Sequence, residues 1–188
     1  QRQRELEAQR EAVSQQLRLL DSARRRLRKE ESMNSNVTIR TLPERYAATC
    51  RMTIPCYEEE RRVWHVLCQE TDPLPLIPSD PCYCCVAFLD GEFKERDVTV
   101  EAQKTVKGRY ADTEHVKFRT LPAVTYAGCT FQGGYEQMND VTAALTAWIE
   151  ANGYAYDGPM FDIYHVSPHE TDDPAQFVTE VCYPVRKK

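Results

Sequence analysis

The sequence has only seven glycines in 188 residues. None falls in a G-x-G-x-x-G or a G-x-x-x-x-G-K-[ST] pattern, so the common phosphate cradles are excluded. There is no G-x-S-x-G and no cysteine in a catalytic signature, which leaves nucleophilic catalysis without support. An enzyme built on this chain would have to work with carboxylates, tyrosines and water. No apolar run approaches the roughly 18 residues of a membrane-spanning helix, and there is no secretory h-region. The four histidines (65, 115, 165 and 169) show no metal-ligand spacing. Cys82 and Cys85 have the spacing of a zinc knuckle, but no second close Cys/His pair follows. Strand alternation would also send Cys82 and Cys84 to one face and Cys85 to the other. No metal site and no cofactor is expected.

Positive charge is scarce in the main body. Residues 1–31 hold nine basic and six acidic side chains, whereas the remainder holds 15 basic and 23 acidic. A body at −8 is poorly suited to gripping phosphate backbones and is suited to attracting cations. Eight cysteines without a signal peptide read as reduced thiols of a cytoplasmic protein. The chain opens on Gln1, which reads as a piece of a longer chain.

What the sequence does have begins with a helix. Residues 5–30 lack Gly and Pro and are rich in Arg, Glu, Gln, Ala and Leu. Leu6, Val13, Leu20 and Leu27 recur every seven residues, with Leu17 on the adjoining seam. A lone rod of four heptads cannot bury that stripe, so a dimerisation coiled coil over 1–31 is expected, with 32–36 as linker. Gln3, Arg10 and Arg24 leave the seam partly polar.

The body, 37–188, contains a duplication. Val37-Thr-Ile-Arg-Thr-Leu-Pro43 reappears as Val116-Lys-Phe-Arg-Thr-Leu-Pro122 at an offset of 79, and Tyr57-Glu58 as Tyr135-Glu136 at 78. Val98-Thr-Val-Glu101 matches Phe177-Val-Thr-Glu180, again at 79. Two repeats, 37–106 and 115–185, therefore follow one another. Each reads as extended runs leading to a helix (57–69; 135–151) and two further strands (83–88 with 98–106; 160–166 with 176–185). The expected fold is α+β, a duplicated strand–helix–strand–strand unit with pseudo-twofold symmetry and a groove between the halves.

Symmetry directs attention to Glu101 and Glu180, each on an otherwise apolar strand, as acids that converge on the groove. A buried carboxylate needs a partner or a proton. The alternative is that Glu180 faces water or pairs with Arg40 or Arg119 across the sheet. Tyr57 and Tyr135 stand at the helix starts beside the groove, and Trp64 and Trp148 lie on apolar helix stripes.

Thr179-Glu-Val-Cys-Tyr-Pro-Val185 and Arg119-Thr-Leu-Pro-Ala-Val-Thr-Tyr-Ala-Gly128, together with the duplication, resemble the GyrI-like, or AraC-type, effector-binding domain of SHS2-type units. A long helix directly before it resembles the C-terminal part of MerR-family multidrug-sensing regulators. The resemblance implies a homodimer joined through that helix, promoter DNA bound only by an N-terminal domain outside this sequence, and no membrane partner. It also implies a pocket for lipophilic aromatic or cationic small molecules, lined by Tyr57, Tyr83, Phe131, Tyr135, Phe177 and Glu180. Some such sensors carry a further acid before the fourth strand of repeat two, where this chain reads Asp157-Gly-Pro-Met-Phe-Asp162. Two other functions are implied by relatives of this kind. One is a hydrolase with Glu180 as general base beside a Tyr or Trp64, and the other an inhibitor that binds another protein.

Overall fold

The computed structural model describes residues 10, 11, 13, 16–21, 24 and 36–188. The chain divides into two units, 1–36 and 37–188. In the first unit the described residues up to 24 are helical and Asn36 is in a turn, and Val13, Leu17 and Leu20 of the heptad stripe are all more than half exposed. Leu6 and Leu27, the outer ends of that stripe, lie outside the described residues, as does most of the proposed linker. Among the described residues no helix is long and apolar enough to cross a membrane.

The second unit is one ten-stranded antiparallel sheet with two helices. The first repeat supplies β1 (Val37–Leu42), β2 (Arg45–Ile54), α1 (Arg61–Thr71), β3 (Ile77–Pro78), β4 (Cys84–Phe88) and β5 (Val98–Lys107). The second supplies β6 (Val116–Leu121), β7 (Val124–Gln132), α2 (Met138–Ala151), β8 (Tyr154–Tyr156), β9 (Phe161–Val166) and β10 (Val178–Lys187). A 3-10 turn precedes each helix, at Tyr57–Glu59 and Tyr135–Gln137. Both helices bury residues four apart, Val63, Leu67 and Thr71 on α1, and Val141, Leu145 and Ile149 on α2. That spacing puts one stripe on the sheet. Gly153, at φ 75°, follows the end of α2 in the left-handed region. The two short strands β3 and β8 were not expected from the sequence, since neither is long enough to show a period.

The strand order is β1-β7-β10-β9-β4-β5-β2-β6. The repeats have therefore exchanged their first strands. β1 of repeat one pairs with β7 of repeat two, and β6 of repeat two pairs with β2 of repeat one. The halves meet at the centre through β4 and β9, by Cys85↔Ile163, Val86↔Asp162 and Ala87↔Phe161. Only Pro43 and Glu44 separate β1, at one edge, from β2, next to the other edge. Two residues span less than ~10 Å, so the sheet must curl until its edges approach. Arg45 Nη1 accordingly donates to the Pro122 carbonyl, 3.1 Å away in the equivalent linker.

This curl explains why both faces are buried although only one carries helices. On the helix side Val63 and Leu67 pack with Cys50, Val86, Val100 and Ala102. On the inner side of the curl Leu42, Cys85, Tyr126, Phe161, Ile163 and Cys182 form their own cluster.

Glu101 and Glu180 lie on this inner side. Both are buried, and each meets the arginine of the strand donated by the other repeat. Arg119 Nη2 is 2.6 Å from Glu101 Oε1, and Arg40 Nη1 is 3.7 Å from Glu180 Oε2. Arg51 adds two bonds to Glu101 Oε2, at 2.9 and 3.1 Å, and Gln103 one to Oε1 at 3.0 Å. His165 Nε2 lies 3.0 Å from Glu180 Oε2. Gly128 makes room here, because a Cβ at that position would meet Glu180 Oε1 at 2.4 Å. The carboxylates thus tie the exchanged strands in place. Replacing Arg51 and Arg119 together by Ala should cost about 2 kcal/mol in urea denaturation, because Glu101 is left buried and unpaired. Adding Glu101→Gln should recover part of that loss.

Candidate functional site

The helix side of the β4–β9 junction collects a different set of residues. Asp162 is 1% exposed, its Cα partners are Val86 and Val181, and neither carboxylate oxygen has a hydrogen-bond partner. Two residues on, Tyr164 emerges on the same face and donates its hydroxyl to Glu60, at 2.8 Å from Oε1 and 3.0 Å from Oε2. Glu60 sits where the first 3-10 turn runs into α1, and it also accepts the Trp64 indole N–H at 3.0 Å. The acid from repeat one thus reaches across to a tyrosine of repeat two.

Aromatic rings surround these groups. The Tyr164 ring meets Trp64 edge-on at 6.1 Å and Tyr135 edge-on at 6.1 Å, and Tyr135 stacks on Phe177 at 5.4 Å. Tyr57 contacts Phe88 at 5.6 Å and stacks on Phe93 at 5.4 Å. The Tyr57–Phe88 and Tyr135–Tyr164 contacts are counterparts in the two repeats. The symmetry fails at the junction itself, where Val86 of one repeat faces Asp162 of the other. Thr179, buried with its hydroxyl unpartnered, stands beside Tyr164 across the β9–β10 pairing.

Burial dominates the electrostatics. Desolvation, reinforced by the nearby Glu60, pushes the Asp162 carboxyl well above the usual carboxylate range. Desolvation likewise raises Glu60, against the lowering effect of its bonds to Tyr164 and Trp64. The Tyr164 phenol is driven well above its ordinary value by the same two causes, burial and the neighbouring acids, and Tyr135 reaches about 12. These contacts gather aromatic rings around two buried acids, and none of them brings a cation to Asp162 or Glu60.

Of the residues expected at the site, Tyr57, Trp64, Phe131, Tyr135 and Phe177 do lie on the helix side of the sheet. Phe131 is placed there by its register with Thr179. Glu101, Glu180 and Tyr83 do not. Each falls on the inner side, where the two glutamates are ion-paired and Tyr83 packs against the Leu42–Tyr126 cluster. The anticipated convergence of Glu101 and Glu180 on the groove therefore does not occur, because strand alternation points both away from the helices. Sequence reasoning missed Glu60 and Tyr164 altogether. The available signal was Asp162-x-Tyr164, an acid and an aromatic alternating on a strand that otherwise reads as core. Among the described residues one cluster of metal-ligand type appears elsewhere: Glu70, Glu114 and His115 bring their ligand atoms within 4.8 Å of one another. Glu70 there is already engaged by the His115 ring and backbone N–H, and the group is a solvent-side ion pair.

Residues 35–186 match the family of GyrI-like small molecule binding domains. The chain belongs to the GyrI-like family. Solved structures agree on the fold. The crystal structure of the EcmrR C-terminal domain superposes with a TM-score of 0.76 at 24% identity, covering 81% of this chain and 98% of that one. EcmrR in its cryo-EM complex with DNA gives 0.77 at 22%, covering 97% and 72%. A hydrolase from Listeria innocua gives 0.57 at 13%, covering 80% and 92%. SAV2435 bound to tetraphenylphosphonium gives 0.55 at 14%, covering 80% and 93%. No curated protein matches the sequence.

In this GyrI-like domain Asp162 leaves a testable mark on stability. A carboxyl whose folded pKa lies above its unfolded one holds its proton more tightly when folded. That contribution is complete below the unfolded pKa and is lost as pH rises toward the folded value. Asp162→Asn should therefore melt at about the wild-type temperature at pH 4 and clearly above it at pH 8. Calorimetry across that range is the check.

Proposed function

We propose that this chain is the ligand-sensing and dimerisation part of a cytoplasmic, MerR-type transcription regulator, and that its groove takes lipophilic aromatic cations. The observation that carries this reading is Asp162, a buried carboxyl with two unpartnered oxygens on the sheet face that also carries Tyr164, whose ring meets Trp64 and Tyr135 edge-on. Nature seldom leaves such a group without a task, since burying it unpaired is costly. A cation entering the groove offsets that cost by ionising Asp162, with Glu60 as the second acid.

The magnitudes suit a broad sensor. A carboxylate about 4 Å from a cation is worth roughly 4 kcal/mol at an effective dielectric near 20. Each ring over the cation adds roughly 0.5–2 kcal/mol. After ordering and desolvation losses, micromolar affinity, about −8 kcal/mol, is the expected range. Stacking on Trp64, Tyr135 and Phe177 tolerates many aromatic shapes. In this reading Val13, Leu17 and Leu20 are covered by the same helix of a second copy, and promoter DNA is met by a domain outside this sequence. The stronger likeness to EcmrR than to the hydrolase favours a non-enzymatic role.

Tetraphenylphosphonium is the natural probe, since SAV2435 has been captured with it. Titration calorimetry should give micromolar binding that strengthens as pH rises, because the cation displaces the proton of Asp162. Asp162→Asn should weaken binding at least tenfold, whereas Glu180→Gln, if folded by circular dichroism, should stay within about threefold of wild type. Ligand recovered unchanged after long incubation supports the sensor. Recovery of a hydrolysed product from a strained-ring substrate would replace it with the enzyme.

A further inference from the structure

A cleft of about 240 Å³ opens beside the Pro43–Glu44 linker, where β2 begins. Arg45, Tyr46, Tyr83 and Thr105 line it, together with the acids Glu44 and Asp80. None of the residues gathered around Asp162 does so. The wall is held firmly. Tyr83 N–H donates to Thr105 Oγ1 at 2.7 Å, Thr105 N–H returns a bond to the Tyr83 carbonyl at 3.1 Å, and Ser79 N–H donates to the Thr105 carbonyl at 3.2 Å.

Arg45 is the charged group that this wall surrounds. Its Nη1 is committed to the Pro122 carbonyl, and its Nη2 donates to Gln103 Oε1 at 3.2 Å. Its Nε is buried and meets no hydrogen-bond partner, and among the described residues no carboxylate pairs with the guanidinium. Desolvation by burial draws the Arg45 pKa below its ordinary value. A buried N–H without an acceptor and a charge without a counter-ion are both costly, and one ligand can relieve both. The surrounding charge points the same way. Gln103 Nε2 donates in turn to Glu101 Oε1, so Arg45, Arg51 and Arg119 gather around one buried carboxylate. In a body whose net charge is negative, this part of the inner side is positive.

We propose that this cleft binds a small monocarboxylate with a flat apolar body, its carboxylate on Arg45 and its body against Tyr46 and Tyr83. The guanidinium is a planar fork that matches a carboxylate, and the free Nε–H is one prong of it. The two rings supply apolar walls suited to a flat partner. Glu44 and Asp80, both exposed at the cleft, oppose a second negative charge, which sets aside phosphates and dicarboxylates. The site stands on Arg45 and holds whether or not the groove binds cations.

Benzoate added to the full chain tests this, read from the Nε–H cross-peaks of nitrogen-15-labelled arginine. The Arg45 peak, identified by its loss in Arg45→Lys, should shift saturably with benzoate. Benzyl alcohol and phthalate should move it far less at the same concentration. In titration calorimetry Arg45→Lys should bind benzoate about tenfold more weakly, because an ammonium lacks the fork. Should that variant fail to fold, correlation of Nε–H to the Arg45 backbone assigns the peak in the wild type. An Arg45 peak unmoved by benzoate, or moved as far by benzyl alcohol, would overturn the proposal. So would equal affinity in a folded Arg45→Lys.

Discussion

Three residue pairs between β4 and β9 hold this structure in its working form. They join the two repeats at the centre of one sheet, with α1 and α2 on the same face of it. The same pairing puts Val86 opposite Asp162 on the local symmetry axis. Antiparallel register is all-or-none at this scale: a slip of one residue would turn Asp162, Tyr164 and every neighbour to the other face. The burial of Asp162, the ring contacts of Tyr164 and the separation of the two faces all follow from that one register.

Exchange of the first strands completes the frame. Each repeat lends a strand to the other, and each loan is secured by an arginine that reaches a buried glutamate, Arg119 to Glu101 and Arg40 to Glu180. The curl that lets two-residue linkers join opposite edges buries these pairs without any covering helix. Carboxylates therefore serve two purposes on the two sides of one sheet. On the inner side Glu101 is held by arginines and Gln103 through both oxygens, and Glu180 meets Arg40 and His165 through Oε2 while its Oε1 is buried without a hydrogen-bond partner. On the helix side Asp162 is unsatisfied and Glu60 is held only by hydroxyl and indole donors. Arginine partners, present on the inner side and absent, among the described residues, from the contacts of Asp162 and Glu60, separate the two sets of acids.

Much of this was legible in the residues. The repeat offsets located both copies, and alternation and turn chemistry placed the long strands and the helices to within a few residues. Tyr135 was expected beside the groove from its place at a helix start and Phe177 from the family resemblance, and their rings stack at 5.4 Å. Three things were not legible. A repeat says that two strands are equivalent but not which neighbour each chooses, so the exchange of β1 and β6 was invisible. Alternation correctly grouped Glu180 with Val178 and Cys182, yet nothing local says which face looks toward a helix that is distant in sequence. The pairing of Glu60 with Tyr164 joins residues 104 apart and has no local trace. Asp162 was noticed as a departure in its stretch, and its importance came only from the register that buries it.

The claim at the centre of this account is that the groove meets a ligand's positive charge with Asp162, whose carboxyl is neutral until the ligand arrives. Carbon-13 NMR of the labelled side-chain carboxyls, recorded at neutral pH as tetraphenylphosphonium is added, observes that event directly. The Asp162 resonance should move from the protonated to the ionised position in step with saturation, while Glu101 and Glu180 stay where they were. An unmoved Asp162 resonance at saturation, with Glu180 shifting instead, would contradict the account and return the site to the inner side of the sheet.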